Sequence, residues 1–339
     1  MEPDEAKKRP SIKDVAREAG VSTATVSHVF SGKKHVNEAS ARKVRRAAKK
    51  LGYTIDRVAA QLRTRRTKII AVLVPNLEDL FLNRFISLIE SRAEDAGYQV
   101  IVSCSRDDLK VEQDRLRALM GWRPSGLILV PCIEAIPDML LKEYPDVPVV
   151  AVDRVNPALS KYDTVTTDDF ASGRDVARHL IDLDAQNILV LAASDEIFTQ
   201  KERIRGIEDC ARDAGNVVVN TLVAGPDAKK AAGKLSDWLD DNPQTKAVIG
   251  LTNVMTLAAL SAFSSRSIEP PKNMMLAGYH DSLWMTARRV PITTVAQPVD
   301  AIANAAWERI SSRIGKDGDQ VLNIIYKSTL IKRKSTSED

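Results

Sequence analysis

Two patterns of apolar and polar residues divide this chain. Between Ser11 and Leu62, apolar residues recur every three or four positions, the spacing of helices with one buried face. From Lys68 onward the period changes, because short continuous runs rich in valine and isoleucine alternate with helical stretches. Such runs are typical of buried parallel strands covered by helices on both faces. The sequence therefore predicts a small helical domain followed by a larger α/β core.

The first two helices are predicted on either side of Gly20, which allows a tight turn between them. The apolar positions around this turn are Ile12, Val15, Ala16, Ala19, Val26, Val29 and Phe30. Ser11 and Ser22 are placed to cap the two helix starts. The second helix turns its remaining face outward with short or planar side chains, which suit base edges in a major groove. These side chains are Thr23, Ala24, Thr25, Ser27 and His28.

A third helix is predicted from Glu38 to Leu51, with Asn37 as its cap. Its buried stripe is Val44, Ala47, Ala48 and Leu51, and its exposed cations are Arg42, Lys43, Arg45, Arg46, Lys49 and Lys50. These cations are available for the phosphate backbone, which would fix position and leave sequence choice to the preceding helix. The segment after Tyr53 predicts a short helix that is marginal alone and needs a partner to form.

The core pattern predicts two open parallel sheets that face each other across a cleft. Strand-like runs occur at 69–75, 99–103, 126–130, 147–152, 187–192, 247–251 and 274–277. These are too many strands for one compact sheet, and ligands in such folds bind at the carboxyl ends of strands. The predicted fold class is thus an α/β core of two doubly wound parallel-sheet subdomains with an all-α helix-turn-helix headpiece.

The distribution of charge supports nucleic acid as a partner of the headpiece. Residues 1–68 contain 18 Lys and Arg against 7 Asp and Glu, whereas the rest of the chain contains 31 against 38. A basic module on an acidic body fits a protein whose headpiece touches phosphates. A merely solvated basic tail is the alternative, which the helical patterning disfavours.

The chain has no apolar run long enough to cross a bilayer and its N-terminus lacks a signal-peptide pattern, so a cytoplasmic protein is expected.

The headpiece pattern is similar to that of the lactose-repressor/galactose-repressor (LacI/GalR) family. The matching residues are 12–16, 19–22, 25–27 and 51–53 in the headpiece, and 74–76, 150–154, 278–281 and 293–298 in the core. The resemblance implies a ligand-responsive repressor that binds a pseudopalindromic operator as a homodimer. His28 is the residue that purine-repressor-like members carry, and Lys34 lies in a loop resembling a DNA-contacting one. A surface histidine without a base contact, and a solvated lysine, are the alternatives.

The resemblance also gives the domain boundaries and a role for the hinge. It implies a basic flexible tail at 1–9, the headpiece at 10–53, a hinge helix and linker at 54–67, a core at 68–334 and a C-terminal tail at 335–339. Chain crossovers between the subdomains are expected near 168, 297 and 327. In the hinge, Leu62 would enter the minor groove as a wedge, with Val58 in hinge-to-hinge packing and Arg63 on the backbone or groove. Leu62 as an ordinary linker leucine is the alternative.

The effector pocket departs from the family pattern. The positions that the resemblance assigns to the effector are Phe81, Leu82, Asp153, Arg203, Thr252, Asn253, His280 and Asp281. His280 stands where an aspartate is usual, Leu82 replaces an aromatic residue, and Thr252-Asn253 replaces an Asn-Asp pair. Since these changes remove negative charge, we expect an anionic effector, such as a phosphorylated sugar or small organic acid, with Arg203 as its anchor. An ordinary helix-surface arginine is the alternative.

Two other classes of protein are compatible with an α/β core. A transport solute-binding protein is disfavoured by the basic headpiece and the missing export signal. An enzyme is disfavoured because the four histidines lack metal-ligand spacing and no phosphate-cradling glycine loop or nucleophile elbow is present. No cofactor is expected. The three cysteines, Cys104, Cys132 and Cys210, have no metal or disulfide spacing and are predicted in or near the core.

Overall fold

The computed structural model describes residues 10–31, 36–53, 67–315 and 320–337. The chain divides into two compact units, Met1–Thr67 and Lys68–Asp339.

The first unit contains three helices within its described residues: α1 (Ile12–Ala19), α2 (Thr23–Ser31) and α3 (Glu38–Leu51). One buried valine from each helix, Val15, Val26 and Val44, lies at the centre of its core. The turn after α1 has Gly20 at φ +64°, a left-handed conformation that favours glycine. The predicted caps are confirmed: Oγ of Ser22 accepts from the Thr25 amide at 3.1 Å, and Oδ1 of Asn37 accepts from the Ala39 amide at 2.9 Å.

The second unit alternates strands and helices. Its strands are β1 (Ile69–Val74), β2 (Gln99–Cys104), β3 (Gly126–Leu129), β4 (Val149–Val152), β5 (Asp163–Thr167), β6 (Asn187–Ala192), β7 (Val218–Val223), β8 (Ala247–Gly250), β9 (Met275–Tyr279), β10 (Thr293–Ala296), β11 (Asn323–Tyr326) and β12 (Thr329–Ile331). Its α-helices are α4 (Leu80–Asp95), α5 (Leu109–Gly121), α6 (Met139–Glu143), α7 (Asp169–Asp182), α8 (Phe198–Ala214), α9 (Ala228–Asp241), α10 (Asn253–Ser265), α11 (Leu283–Thr286) and α12 (Val299–Arg313).

The described strands form two six-stranded sheets. The N-terminal subdomain is built on the order β11-β5-β4-β3-β1-β2, and the C-terminal subdomain on β12-β10-β9-β8-β6-β7. Neighbouring strands are parallel except for β10 and β12, which are antiparallel. The predicted fold class of two doubly wound α/β subdomains is confirmed. In the described residues the chain passes between the sheets three times, after β5, after β10 and after β11.

Helices α7 and α8 approach each other closely at two glycines. A Cβ added to Gly173 would lie 2.3 Å from the carbonyl oxygen of Arg203, and one added to Gly206 would lie 2.1 Å from that of Phe170. Real Cβ atoms do not tolerate such distances, so only glycine permits this crossing. The crossing brings Arg203 on α8 beside the start of α7.

The C-terminal residues differ from the expected tail. Ser335 and Thr336 are buried, and Oγ of Ser335 donates to the Leu276 carbonyl at 2.5 Å and accepts from the Thr293 amide at 2.8 Å. The prediction of a tail from residue 335 was wrong for these two residues. Hydroxyl side chains gave no apolar signal, yet they satisfy backbone groups beside sheet β12-β10-β9.

Candidate functional site

The outward face of α2 carries the side chains predicted to meet DNA. Thr23 and Ala24 are exposed, whereas Ser27 and His28 are half-buried. Oγ1 of Thr25 lies 2.9 Å from Oγ of Ser22, so this hydroxyl also serves the helix start. The exposed pair at the beginning of α2 is where a recognition helix presents side chains to base edges.

Helix α3 supplies the positive charge near this face. Its predicted cations, Arg42, Lys43, Arg45, Arg46, Lys49 and Lys50, are all exposed. Nζ of Lys50 pairs with Oε1 of Glu18 at 2.7 Å, which ties α3 to α1. The other predicted DNA contacts, Lys34, Val58, Leu62 and Arg63, lie outside the described residues.

A cleft of about 610 Å³ lies between the two subdomains of the core. It is lined by Asn76, Asp79, Arg106, Asp107, Asp108, Leu109, Lys110, Cys132, Ile133, Arg154, Ala193, Ser194, Glu196, Ile197, Gln200, Pro226, Thr252 and Val254. These residues follow the carboxyl ends of strands in both sheets, such as β1, β4, β6 and β8. This is the position at which open parallel sheets bind ligands. The volume is in the range of small-molecule sites.

Most of the acidic side chains of the cleft are engaged in local contacts. Asp79 caps α4 by accepting from the Phe81 amide at 2.9 Å, and Asp108 caps α5 by accepting from the Lys110 amide at 2.8 Å. Asp107 is ion-paired with Arg154. The cleft therefore combines fixed carboxylates with helix N-termini, which is an environment for polar ligands.

Arg203, the predicted effector anchor, is buried, so the alternative of an ordinary helix-surface arginine is wrong. It is 1% exposed, its Nε lies 2.7 Å from Oδ1 of Asp169, and its Nη1 donates to the Leu251 carbonyl at 2.7 Å. Its guanidinium also lies 4.3 Å from the ring centroid of Tyr279. Two of the five N–H donors of the guanidinium are used in these bonds, and the Asp169 carboxylate offsets its positive charge, which weakens the charge argument for an anionic effector.

Asp153 and His280 occupy equivalent places in the two subdomains. Each follows a central strand directly, each has a left-handed backbone with φ of +65° and +66° respectively, and each amide donates at 3.0 Å to a carbonyl of the adjacent strand. Left-handed backbone is uncommon outside glycine and is concentrated at functional sites. Nε2 of Gln297, in a segment that crosses between the subdomains, lies 3.4 Å from Oδ1 of Asp153. The geometry thus directs two buried polar residues toward the cleft region from opposite sheets.

The other predicted effector residues divide into three groups. Phe81 and Leu82 are buried in the core of the N-terminal subdomain, with the Phe81 ring 5.2 Å from that of His280. Asn253 is buried, while Thr252 lines the cleft and accepts from the Met255 amide at 3.2 Å. Asp281 instead forms a bidentate ion pair with Arg333, at 2.7 and 2.8 Å. The carboxylate of Asp281 is therefore already paired within the C-terminal subdomain.

Several buried polar atoms near the cleft have no hydrogen-bond partner among the described residues. They are Nδ1 of His280, Oδ1 of Asn253 and Oε1 of Gln297. Two of the three are amide oxygens, which only accept hydrogen bonds. Burial lowers the pKa of His280, because water no longer solvates the charged imidazolium. A neutral imidazole nitrogen can accept as well, so all three atoms can accept a hydrogen bond, although their residues lie beside the cleft and are not among those that line it.

Sequence reasoning missed Asp79, Asp169 and Gln297 as parts of this region. Asp79 lies five residues after β1, and the strands that precede Asp169 and Gln297, β5 and β10, were not predicted, so the sequence offered no direct signal for these three residues. In the part of the chain that the structure describes, no helix is long and apolar enough to span a membrane.

Comparison with known proteins agrees with both units. The model of bacterial regulatory proteins of the lacI family matches residues 11–56, and that of periplasmic binding proteins and the sugar binding domain of the LacI family matches residues 67–332. The regulator DegA of Bacillus subtilis is 29% identical over 97% of this chain and 98% of its own length. The repressor PurR of Photobacterium profundum is 29% identical over 97% of this chain and 99% of its own length. A solved lac repressor dimer, bound to operator and the anti-inducer ONPF, superimposes with a TM-score of 0.83 at 23% identity, over 97% of this chain and 99% of that one.

Proposed function

This chain belongs to the LacI family of bacterial transcription regulators, and we propose that it is a repressor whose homodimer binds a pseudopalindromic operator under the control of a small molecule in the core cleft. The observation that carries the proposal is that Thr23 and Ala24 are exposed at the start of α2. In the same unit, the Arg and Lys side chains of α3 are exposed as well. Base edges would be read by α2 and phosphates held by α3.

Two headpieces would occupy successive major grooves. A dimer of helix-turn-helix units binds half-sites about one helical turn apart, so the operator is expected to have approximate two-fold symmetry. Leu62, Val58 and Arg63 would contact the minor groove between the half-sites, where an apolar wedge bends the duplex. The operator-bound dimer among the similar structures supports this arrangement.

The effector class is inferred from the buried polar side chains beside the cleft. The buried amide oxygens of Asn253 and Gln297 accept hydrogen bonds, and Arg203 is engaged with Asp169. We therefore propose an uncharged ligand rich in hydroxyl groups, in agreement with the sugar binding domain that the family model describes. Calorimetry with a panel of neutral sugars and their phosphates tests this; tighter binding of the phosphates would restore the anionic alternative.

The cleft would control the headpiece through the arrangement of the two subdomains. A ligand that contacts both sheets favours one arrangement, and coupling between sites of this kind amounts to about 1–3 kcal/mol. No catalytic role is proposed.

The deciding experiment is selection of genomic fragments by the full-length protein. A shared motif with two-fold symmetry, enriched over competitor DNA, is expected. The same selection with Thr23→Ala/His28→Ala should lose or change the motif, whereas Asp195→Asn, on an exposed core loop, should leave it unchanged. Failure of the full-length protein to enrich any sequence, with and without the sugar panel, would overturn the proposal.

A further inference from the structure

The two core subdomains contact each other through a small set of side chains beside the cleft, of which Asp79 also lines it. The rings of Phe81 and His280 lie 5.2 Å apart at 41°, and Phe81 belongs to the N-terminal subdomain whereas His280 belongs to the C-terminal one. Beside them, Nδ2 of Asn253 donates to Oδ1 of Asp79 at 3.4 Å, again across the cleft. These contacts join the subdomains through protein groups alone.

The four side chains are arranged so that a single closing movement of the two subdomains forms both the Phe81–His280 contact and the Asp79–Asn253 contact. Asp79 and Phe81 are the N-cap and second residue of α4, while Asn253 is the first residue of α10 and His280 follows β9 directly. Phe81, Asn253 and His280 are each no more than 7% exposed. Opening the cleft would return all of them to water together.

We propose that Asp79 and Phe81 on one side and Asn253 and His280 on the other form a latch that holds the cleft closed without a bound ligand and opens when His280 is protonated. The inference deepens the proposed effector control, because the latch sets how readily the cleft admits a ligand.

The charges around His280 determine the direction of the pH effect. Burial opposes its protonation most strongly; Asp79 and Asp153 favour the imidazolium, and Arg203 and Arg154 oppose it. The net result is a pKa lowered in the closed form, whereas in an open cleft water restores the ordinary value of about 6.5. Protons therefore bind the open form more tightly. The contribution of His280 to closure is therefore fully present above this ordinary value and is lost as the pH falls through the lowered closed-form pKa.

Asp169 titrates in the same region with the opposite sign. Burial raises the pKa of Asp169 to about 6, and Asp153 of the other subdomain adds to the rise, so losing the Asp153 charge on opening would lower this pKa and make protonation of Asp169 favour closure. The ion pair of Asp169 with Arg203 lies within one subdomain and stays intact on opening. His179 is a second buried histidine of the C-terminal subdomain, and burial lowers its pKa too. Its Nε2 pairs with Oγ1 of Thr336 at 2.8 Å, within one subdomain, which makes His179 a matched control.

The test measures the width of the cleft in the full-length protein, free of DNA and effector. Spin labels at Lys110→Cys and Glu196→Cys, exposed residues on opposite cleft walls, report the distance in a background with Cys104→Ser and Cys132→Ser, since Cys132 also lines the cleft. Between pH 8 and pH 5.5 the open population is expected to rise several-fold. His280→Gln should abolish the pH response, and His179→Gln should retain it.

A second variant keeps the test decisive if His280→Gln does not fold. Asn253→Ala removes the contact with Asp79, and it should raise the open population at every pH while leaving the pH response in place. An unchanged distance distribution in the unsubstituted protein, or equal pH responses in the two histidine variants, would overturn the latch. Because no DNA is present, loss of operator binding alone would count against the proposed function and not against the latch.

Discussion

Arg203 and Asp169 form a buried ion pair with 2.7 Å between Nε and Oδ1 and with no more than 4% of either residue exposed. The Leu251 carbonyl and the Tyr279 ring complete the surroundings of the guanidinium. Burial raises the pKa of Asp169 to about 6 although Arg203 opposes the rise. The pair thus connects α7, α8 and the end of β8 inside one subdomain.

Removing one partner of this pair is expected to destabilise the core strongly. Arg203→Met leaves the carboxylate of Asp169 buried without its cation, which costs about 3–5 kcal/mol in comparable cases. Urea unfolding of the full-length protein measures the change. Arg84→Met, which breaks the pair with Asp300 that is 56% and 61% exposed, should cost less than about 1 kcal/mol. If both variants lost the same free energy of unfolding, the buried Arg203–Asp169 pair would contribute no more to stability than the exposed Arg84–Asp300 pair.

The glycines of the α7–α8 crossing give a prediction with an internal control. Gly173→Ala and Gly206→Ala place a methyl group against backbone, and overpacking of this kind costs about 1–3 kcal/mol or more. Gly233→Ala, on α9 with no atom within 4 Å of the added Cβ, should instead stabilise by up to about 1 kcal/mol. Thermal unfolding measures all three. Stabilisation by Gly173→Ala would contradict the close crossing.

The buried strands of the core could be predicted from the sequence only where their residues are apolar. Runs such as Ile69–Val74 indicated buried strands directly. Strand β5 is Asp-Thr-Val-Thr-Thr and fully buried, yet its polar residues gave no such signal. Asp163 within it accepts from Arg309 and Arg313, at 3.0 and 2.9 Å, and these partners follow it by about 150 positions. Only the fold brings such partners together.

The same reasoning explains the candidate site. The outward face of α2 was predictable because local helical periodicity places its residues. Arg203 was recognised as important, but its pairing with Asp169, 34 positions earlier, decides its chemistry and is not local. Phe81 and His280 likewise meet only because two separate sheets close on each other.

The Asp281–Arg333 pair predicts a pH dependence of stability. The hydrogen bonds from Arg333 lower the pKa of Asp281, so the pair stabilises the folded chain above the unfolded pKa of about 3.9. That contribution is lost as the pH falls through the lower folded-state pKa. Asp281→Asn should therefore cost up to about 1 kcal/mol at pH 7, because solvent screens this exposed carboxylate, and less once the pH is below the folded-state pKa. Urea midpoints across this range provide the measurement, with Asp195→Asn as an exposed control; a pH-independent cost would refute the electrostatic origin.

The headpiece gives separable predictions for sequence choice and for affinity. His28→Ala should reduce discrimination between operator variants by about 1–3 kcal/mol. Arg42→Ala, on the exposed face of α3, should weaken binding to all sequences alike and lower the salt slope by about 1. Fluorescence anisotropy with matched operators at several salt concentrations distinguishes them. Uniform weakening by His28→Ala would assign it to the phosphate backbone.

The three crossings between sheets have a consequence for synthesis. Each sheet has an edge strand from the far end of the chain, β11 in one and β12 in the other, and Ser335 and Thr336 then anchor the end beside β9 and β10. Neither half is made of one uninterrupted stretch of polypeptide. During synthesis, neither sheet can be completed until β11 and β12 have left the ribosome. A nascent chain that stops before Asn323 would therefore lack one edge strand in each of the two sheets.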